Sequence, residues 1–225
     1  MLSYNDQNIE GVIFDVDGTI VDSISYYHVY FNDGLEGIGL KPISKGLLLK
    51  FLGEGISLKK ILRTVIPDDR DENVIEMVAG EILEKFVKID MELPLLPGVR
   101  DVFAFLKAAE TKIGVATGRT SGAAYEWKRL KEKGLDGFVD VVVTASEVEN
   151  RKPAPDLITE CAKKLSLHPK NCLVIGDSVS DIISGKKAGA IPVAVCTGIE
   201  NSETIKSQSP EAVLQSLDEI ISLFE

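Results

Sequence analysis

The chain has 225 residues, 44% of them hydrophobic, and carries 25 basic against 35 acidic side chains for a formal net charge of −10. That size fits one large domain or a core with an inserted one, and the apolar share suffices for a sizeable core. The acidic balance argues against a nucleic-acid surface, which needs clustered Lys and Arg, but leaves room for a small anion held at a local positive spot.

In chain order the first clear element is the apolar run Gly11-Val12-Ile13-Phe14, which drives into Asp15-Val16-Asp17-Gly18-Thr19. Val, Ile and Phe suit a strand covered on both faces. Asp17-Gly18 supplies turn chemistry at its end. If extended geometry persists, Asp15 and Asp17 point to one side. Such a pair at the end of a buried strand needs a cation, a proton or a reaction to explain it. From residue 22 to 93 the hydrophobic period is helical. Ile75, Val78, Ile82 and Phe86 recur at steps of three and four over 71–89, and shorter helices are expected over 26–40 and 57–66. Pro94-Leu95-Leu96-Pro97-Gly98 reads as a linker back to the first domain. Residues 1–21 with 95–225 are therefore expected to form one domain, and 22–94 an all-helical insertion.

Beyond the linker, helices and strands alternate. Helices are expected over 99–110, 123–133, 155–165, 180–188 and 209–224, the last with Ser209 as N-cap and Pro210 at its first position. Strands are expected over 112–116, 139–143, 172–175 and 192–196. The pattern predicts an α/β fold, a doubly wound parallel sheet with a second, smaller helical domain. Ligands of such sheets bind at the carboxyl ends of the strands, where strand order switches. The polar residues gather at those ends: Asp15 and Asp17, Thr117-Gly118-Arg119, and Asp177. The three cysteines, Cys161, Cys172 and Cys196, form no C-x-x-C, and His28 and His168 are the only histidines. These counts argue against a zinc cluster or a disulfide framework and suit a reducing cytosol. No secretory leader or membrane span is visible, so a cytoplasmic location is expected, with neither nucleic acid nor membrane as partner.

Four segments, Asp15-Val16-Asp17-Gly18-Thr19, Thr117-Gly118, Lys152-Pro153 and Gly176-Asp177-Ser178-Val179-Ser180-Asp181, stand in order at these positions. Together they resemble the four motifs of the haloacid dehalogenase superfamily, and the resemblance runs from Val12 to about Gly198. It implies Asp15 as a nucleophile forming an aspartyl-phosphate and Asp17 as the general acid and base. It implies that Thr117 and Lys152 stabilise phosphoryl oxygens. Mg²⁺ would be held by the carboxylates of Asp15 and Asp177 and the main-chain carbonyl of Asp17, with Asp181 as a further ligand or organiser. An all-oxygen site suits that ion independently of the resemblance. Asp at position 17 resembles the phosphatases and phosphomutases of the superfamily, not its dehalogenases.

The inserted helices resemble the small cap of phosphoglycolate phosphatase-like members, in which the cap reads the leaving group. Within it, Phe51-Leu52-Gly53-Glu54-Gly55-Ile56 resembles the segment that faces the active site, which makes Gly53 a candidate substrate contact. Lys45 and Lys50 are candidates for an acidic leaving group, though solvated lysines are the commoner use. Gly118-Arg119 departs from the Asn-Lys pair usual in phosphoglycolate phosphatases; Gly118, Arg119, Thr117 and Lys152 are the candidate substrate residues of the core. His28 and Trp127 read as packing residues. The expected activity is Mg²⁺-dependent hydrolysis of a small phosphorylated metabolite by a monomer or homodimer. A sugar-phosphate mutase of the β-phosphoglucomutase type and a non-catalytic binding module are the alternatives.

Overall fold

The computed structural model describes residues 2–53, 56–67, 70–199 and 202–224. The chain divides into two compact units, Met1–Val21 with Leu95–Glu225, and Asp22–Pro94.

The first unit is built on a six-stranded parallel sheet. Its strands are β3 (Gly11–Phe14), β4 (Lys112–Thr117), β5 (Val141–Thr144), β6 (Cys172–Gly176), β7 (Ile191–Val195) and β8 (Ala212–Leu214), in the order β5-β4-β3-β6-β7-β8. A separate antiparallel hairpin, β1 (Leu2–Tyr4) and β2 (Gln7–Ile9), precedes them. The register aligns Phe14 with Val115 on one side and Ile175 on the other. The carboxyl ends of β3, β4 and β6 therefore lie side by side. The chain runs outward from β3 through β4 to β5, then returns to β6 on the opposite flank. That reversal is the switch point at which a doubly wound sheet opens a crevice.

All four residues of β3 are buried, as a strand covered on both faces requires. Ile13 packs on one face with Leu157, Ile158, Cys161 and Ala162 of α7 (Asp156–Lys164). Phe14 meets Phe103 of α5 (Val99–Ala108) on the other, with ring centroids 4.8 Å apart. The remaining helices of this unit are α6 (Ala123–Glu132), α8 (Val179–Ala188) and α9 (Ser202–Ser207). Gly189, left-handed at φ 76°, stops α8.

The second unit is all helical: α1 (Ser23–Gly37), α2 (Lys45–Gly53), α3 (Leu58–Val65) and α4 (Glu72–Ile89). Asp22 and Asp71 cap α1 and α4 by accepting the Ser25 and Asn73 N–H groups. Ile75, Val78 and Ile82 are buried in its core with Phe31, Leu35, Leu48, Ile61 and Leu62. His28 and Asn32 bond to each other and to the Ile43 carbonyl, so His28 serves the packing of this unit.

The structure corrects the sequence reading at the C-terminus. Residues 209–224 form no single helix. Ala212–Leu214 extends the sheet as β8 by pairing with β7, and Leu217–Leu223 is a 3₁₀ run. A three-residue strand shows no period, so the polar cap signal at Ser209-Pro210 dominated locally, while the open edge of β7 decided the outcome. The hairpin and helices α2 and α9 were also absent from the sequence expectation.

Phe103 is fully buried against Phe14 beneath the carboxyl end of β3. Truncation by Phe103→Ala is expected to cost about 3–5 kcal/mol. Urea unfolding checks this, and a loss under about 1 kcal/mol would mean that the α5 face is not packed as described.

Candidate active site

The loop after β3 is tightly wound. The Asp15 N–H donates to the Ile175 carbonyl at 2.9 Å, which continues the β6 ladder one residue past the strand. The Ile20 and Val21 N–H groups both return to the Val16 carbonyl, at 2.9 and 3.0 Å. Gly18 sits in this turn at φ 78°, and a Cβ there would lie 2.6 Å from Asp177 Oδ2. Glycine is required twice over, by the backbone angle and by the carboxylate behind it.

Three carboxylates meet at this end of the sheet. Oxygens of Asp15, Asp177 and Asp181 lie within 4.8 Å of one another. Lys152 Nζ donates to Asp15 Oδ1, to Asp181 Oδ1 and to the Ala116 carbonyl, each at 2.7 Å. Asp181 Oδ2 accepts from the Ser178 hydroxyl at 2.5 Å and the Ser178 N–H at 3.2 Å, the capping box of α8. Asp177 Oδ2 accepts the Ile199 N–H at 2.7 Å, and its Oδ1 accepts from the Thr19 hydroxyl at 3.3 Å. Gly198 makes this possible, because a Cβ there would sit 1.7 Å from Asp177 Oδ2. Asp15 Oδ2 accepts no hydrogen bond among the described residues.

The electrostatics follow from burial. Asp15 is raised from 3.8 to about 7, first by desolvation and then by Asp181 and Asp17, with Lys152 opposing. Asp177 is pushed well above the usual carboxylate range by burial, then by Asp181 and Asp15. For Lys152, burial lowers the ammonium pKa, but the pull of Asp15 and Asp181 outweighs it and the net shift is upward. Fully ionised, the three carboxylates would face one positive charge, a difference that a divalent cation would close. The donors are all oxygen, without His or Cys, so the set fits a hard cation such as Mg²⁺.

Asp17 stands apart from this cluster. Arg119 grips its carboxylate with two bonds, Nε to Oδ2 at 2.6 Å and Nη2 to Oδ1 at 2.5 Å. Thr117, at the end of β4, is buried, and its hydroxyl oxygen accepts the Arg119 N–H at 3.2 Å. A cavity of about 400 Å³ opens over the strand ends, lined by Asp15, Asp17, Gly118, Arg119, Lys152, Asp177 and Asp181 among others. The structure thus brings these seven expected residues to one cavity, with Thr117 beneath it. Sequence reasoning passed over three further groups there: Arg151, Ser178 as a partner of Asp181, and the Thr197-Gly198-Ile199 loop. The glycine directly after a strand in Cys196-Thr197-Gly198 was the available signal for that loop. In the helical unit, Lys45 bonds the Ser25 hydroxyl and Lys50 is exposed. Gly53 ends α2, and Glu54 and Gly55 of its segment lie outside the described residues.

Residues 12–195 match the model of the haloacid dehalogenase-like hydrolases. The chain belongs to this family. Among curated proteins it is 25% identical to a phosphoglycolate phosphatase of Nitrosococcus oceani, covering 95% of this chain and 96% of that one. It is 26% identical to the pyrophosphatase PpaX of Bacillus pumilus, covering 97% and 98%. Among solved structures, one described as a predicted phosphoglycolate phosphatase from Haemophilus somnus superposes with a TM-score of 0.80 at 20% identity, over 97% of this chain and 99% of the other, a likeness of fold. No helix among the described residues is long and apolar enough to cross a membrane.

The raised carboxyl of Asp15 has a consequence for stability. Between 3.8 and about 7 the folded chain holds a proton that the unfolded chain releases. In the absence of a cation this group's contribution therefore falls as pH rises through that window. A cation at the triad offsets the loss. Mg²⁺ is expected to raise the melting temperature more at about pH 8 than at about pH 5. Thermal melting in chelator-treated buffer, with and without Mg²⁺, checks this, and an equal or smaller shift at the higher pH counts against a cation at the triad.

Proposed function

We propose that the chain is a Mg²⁺-dependent phosphatase of small phosphate monoesters that works through a phosphorylated Asp15. The observation that carries this reading is the pairing of Asp15 with Lys152 at 2.7 Å on the floor of a cavity shared with Asp177 and Asp181. The names of the curated relatives, phosphoglycolate phosphatase and pyrophosphatase PpaX, point to the same chemistry.

In the first step a carboxylate oxygen of Asp15 attacks phosphorus, and the bond from phosphorus to the leaving oxygen breaks. Asp15 Oδ2, which accepts no hydrogen bond among the described residues, is the oxygen available for that attack. Asp17, with one oxygen released by Arg119 and protonated from solvent, gives that proton to the departing alkoxide. In the second step Asp17 takes a proton from water as that water attacks the acyl phosphate, which returns the Asp15 carboxylate and releases inorganic phosphate. Lys152 holds Asp15 and adds positive charge beside the phosphoryl oxygens. The Thr117 oxygen already accepts the Arg119 N–H, so its proton is the part left to donate to a phosphoryl oxygen. Asp15, Asp177 and the Asp17 carbonyl would hold the cation, with Asp181 completing the set. Bound there, Mg²⁺ supplies the charge that lets a carboxylate and a phosphate dianion approach. Asp181, engaged by Lys152 and Ser178, fixes the lysine. The cysteines are free thiols, which suits a reducing cytoplasm.

Asp15→Asn is expected to lower turnover by on the order of 10³-fold or more while the chain still folds. Phosphate release from a panel of phosphate esters, read beside circular dichroism, checks both points; turnover near the wild-type rate would sink the nucleophile assignment. Treatment with EDTA is expected to stop phosphate release and added Mg²⁺ to restore it. Undiminished activity in metal-free protein would refute the cation's role.

A further inference from the structure

The positive groups of the cavity are allocated unequally. Lys152 has three donors, and all three are committed to Asp15, Asp181 and the Ala116 carbonyl. It has none to spare for a second anion. Arg119 is committed to Asp17, fork against fork. Its backbone is fixed as well: the N–H donates to Thr117 Oγ1, and the carbonyl accepts the Ala145 N–H at 2.9 Å. Only the guanidinium is left to move. Arg151 lines the same cavity, is exposed, and its guanidinium makes no hydrogen bond or ion pair among the described residues.

The fork has a mechanical consequence. With Nε on one oxygen and Nη2 on the other, the Asp17 carboxylate is turned toward Arg119 through both of its oxygens. To serve a leaving oxygen, one of them has to come free. Opening the fork with nothing in return gives up two charge-assisted hydrogen bonds. Exchanging one bidentate partner for another costs far less. A carboxylate or a second phosphate is a partner of the right geometry.

We propose that Arg119 and Arg151 form a subsite for a second anionic group on the substrate, and that this group draws Arg119 off Asp17. Arg119 is then a latch on Asp17 which an anion-bearing leaving group opens, with Arg151 as the uncommitted half of the receiver. A neutral leaving group enters the same cavity but leaves the fork closed. Selection for phosphate esters that carry a second phosphate or carboxylate therefore falls on kcat as well as on KM. The part concerning Asp17 rests on the phosphatase reading; the anion subsite does not.

Two measurements separate these parts. The first is binding, in an Asp15→Asn background with Mg²⁺, by calorimetry. Inorganic pyrophosphate and 2-phosphoglycolate are expected to bind at least about tenfold more tightly than orthophosphate. Adding Arg119→Ala and Arg151→Ala is expected to bring both ratios to within about twofold. Whichever ligand shows the larger preference identifies the second anion as phosphate or carboxylate. Ratios that survive the loss of both arginines overturn the subsite. The second is turnover by Arg119→Ala in the otherwise unaltered chain. The kcat for glycerol 3-phosphate is expected to rise about fivefold or more, because Asp17 is no longer held, while the kcat for 2-phosphoglycolate changes by less and its KM rises about tenfold or more. A kcat for glycerol 3-phosphate that does not rise overturns the latch. A wild-type chain that hydrolyses no ester of the panel refutes the phosphatase reading instead, and the binding ratios still decide the subsite.

Discussion

The core unit depends on the burial of three carboxylates around one ammonium group. Two like charges about 4 Å apart repel by about 4 kcal/mol at an effective dielectric near 20. Lys152 offsets part of this for Asp15 and Asp181, and no cation among the described residues pairs with Asp177. The surrounding backbone accordingly does the holding. Ile199 N–H and the Thr19 hydroxyl bind Asp177, and Ser178 binds Asp181 through a helix cap. Gly18 and Gly198 clear the space that side chains would have taken from Asp177. Many local devices thus keep these charges together, and the parallel sheet supplies the rigid edge on which they are mounted.

Asp15 and Asp17 are separated by one residue, yet their surroundings differ. Asp15 shares an ammonium with a second carboxylate, while Asp17 has a guanidinium fork to itself. Neighbouring carboxyl groups given different partners can take different parts in one reaction. The wound loop that follows β3 brings both to one cavity and leaves only the first in the acidic cluster.

Much of this was legible in the sequence, and for identifiable reasons. The β3 strand showed itself by an unbroken apolar run, and α4 by a clean helical period over Ile75, Val78 and Ile82. Asp15, Asp17, Thr117 and Asp177 were legible because each ends or follows a strand, where chemistry-bearing side chains stand out against apolar neighbours. The hairpin β1–β2 was not, since two strands of three residues carry no period, although Asn5 and Asp6 at positive φ mark its turn. α2 was hidden by Leu47-Leu48-Leu49, a run without spacing. β8 was hidden because its conformation is decided by the edge of β7, far away in sequence. The Arg119–Asp17 fork was beyond reach for the same reason: a pairing across 102 positions leaves no trace in local pattern.

The helical unit enters and leaves the chain through adjoining points. Val21 bridges Leu95, the Leu96 N–H meets the Ile20 carbonyl, and the Asp22 N–H meets the Pro94 carbonyl at 3.0 Å. Seen from the sheet, the whole insertion is a loop whose ends are already tied. The entropy of closing such a loop grows only slowly with its length. Helices can therefore be lengthened, shortened or exchanged there at small cost to the register between β3 and β4. The junction is a natural graft point, at which one helical module can be traded for another while the edge that carries Asp15, Lys152 and Asp177 stays as it is.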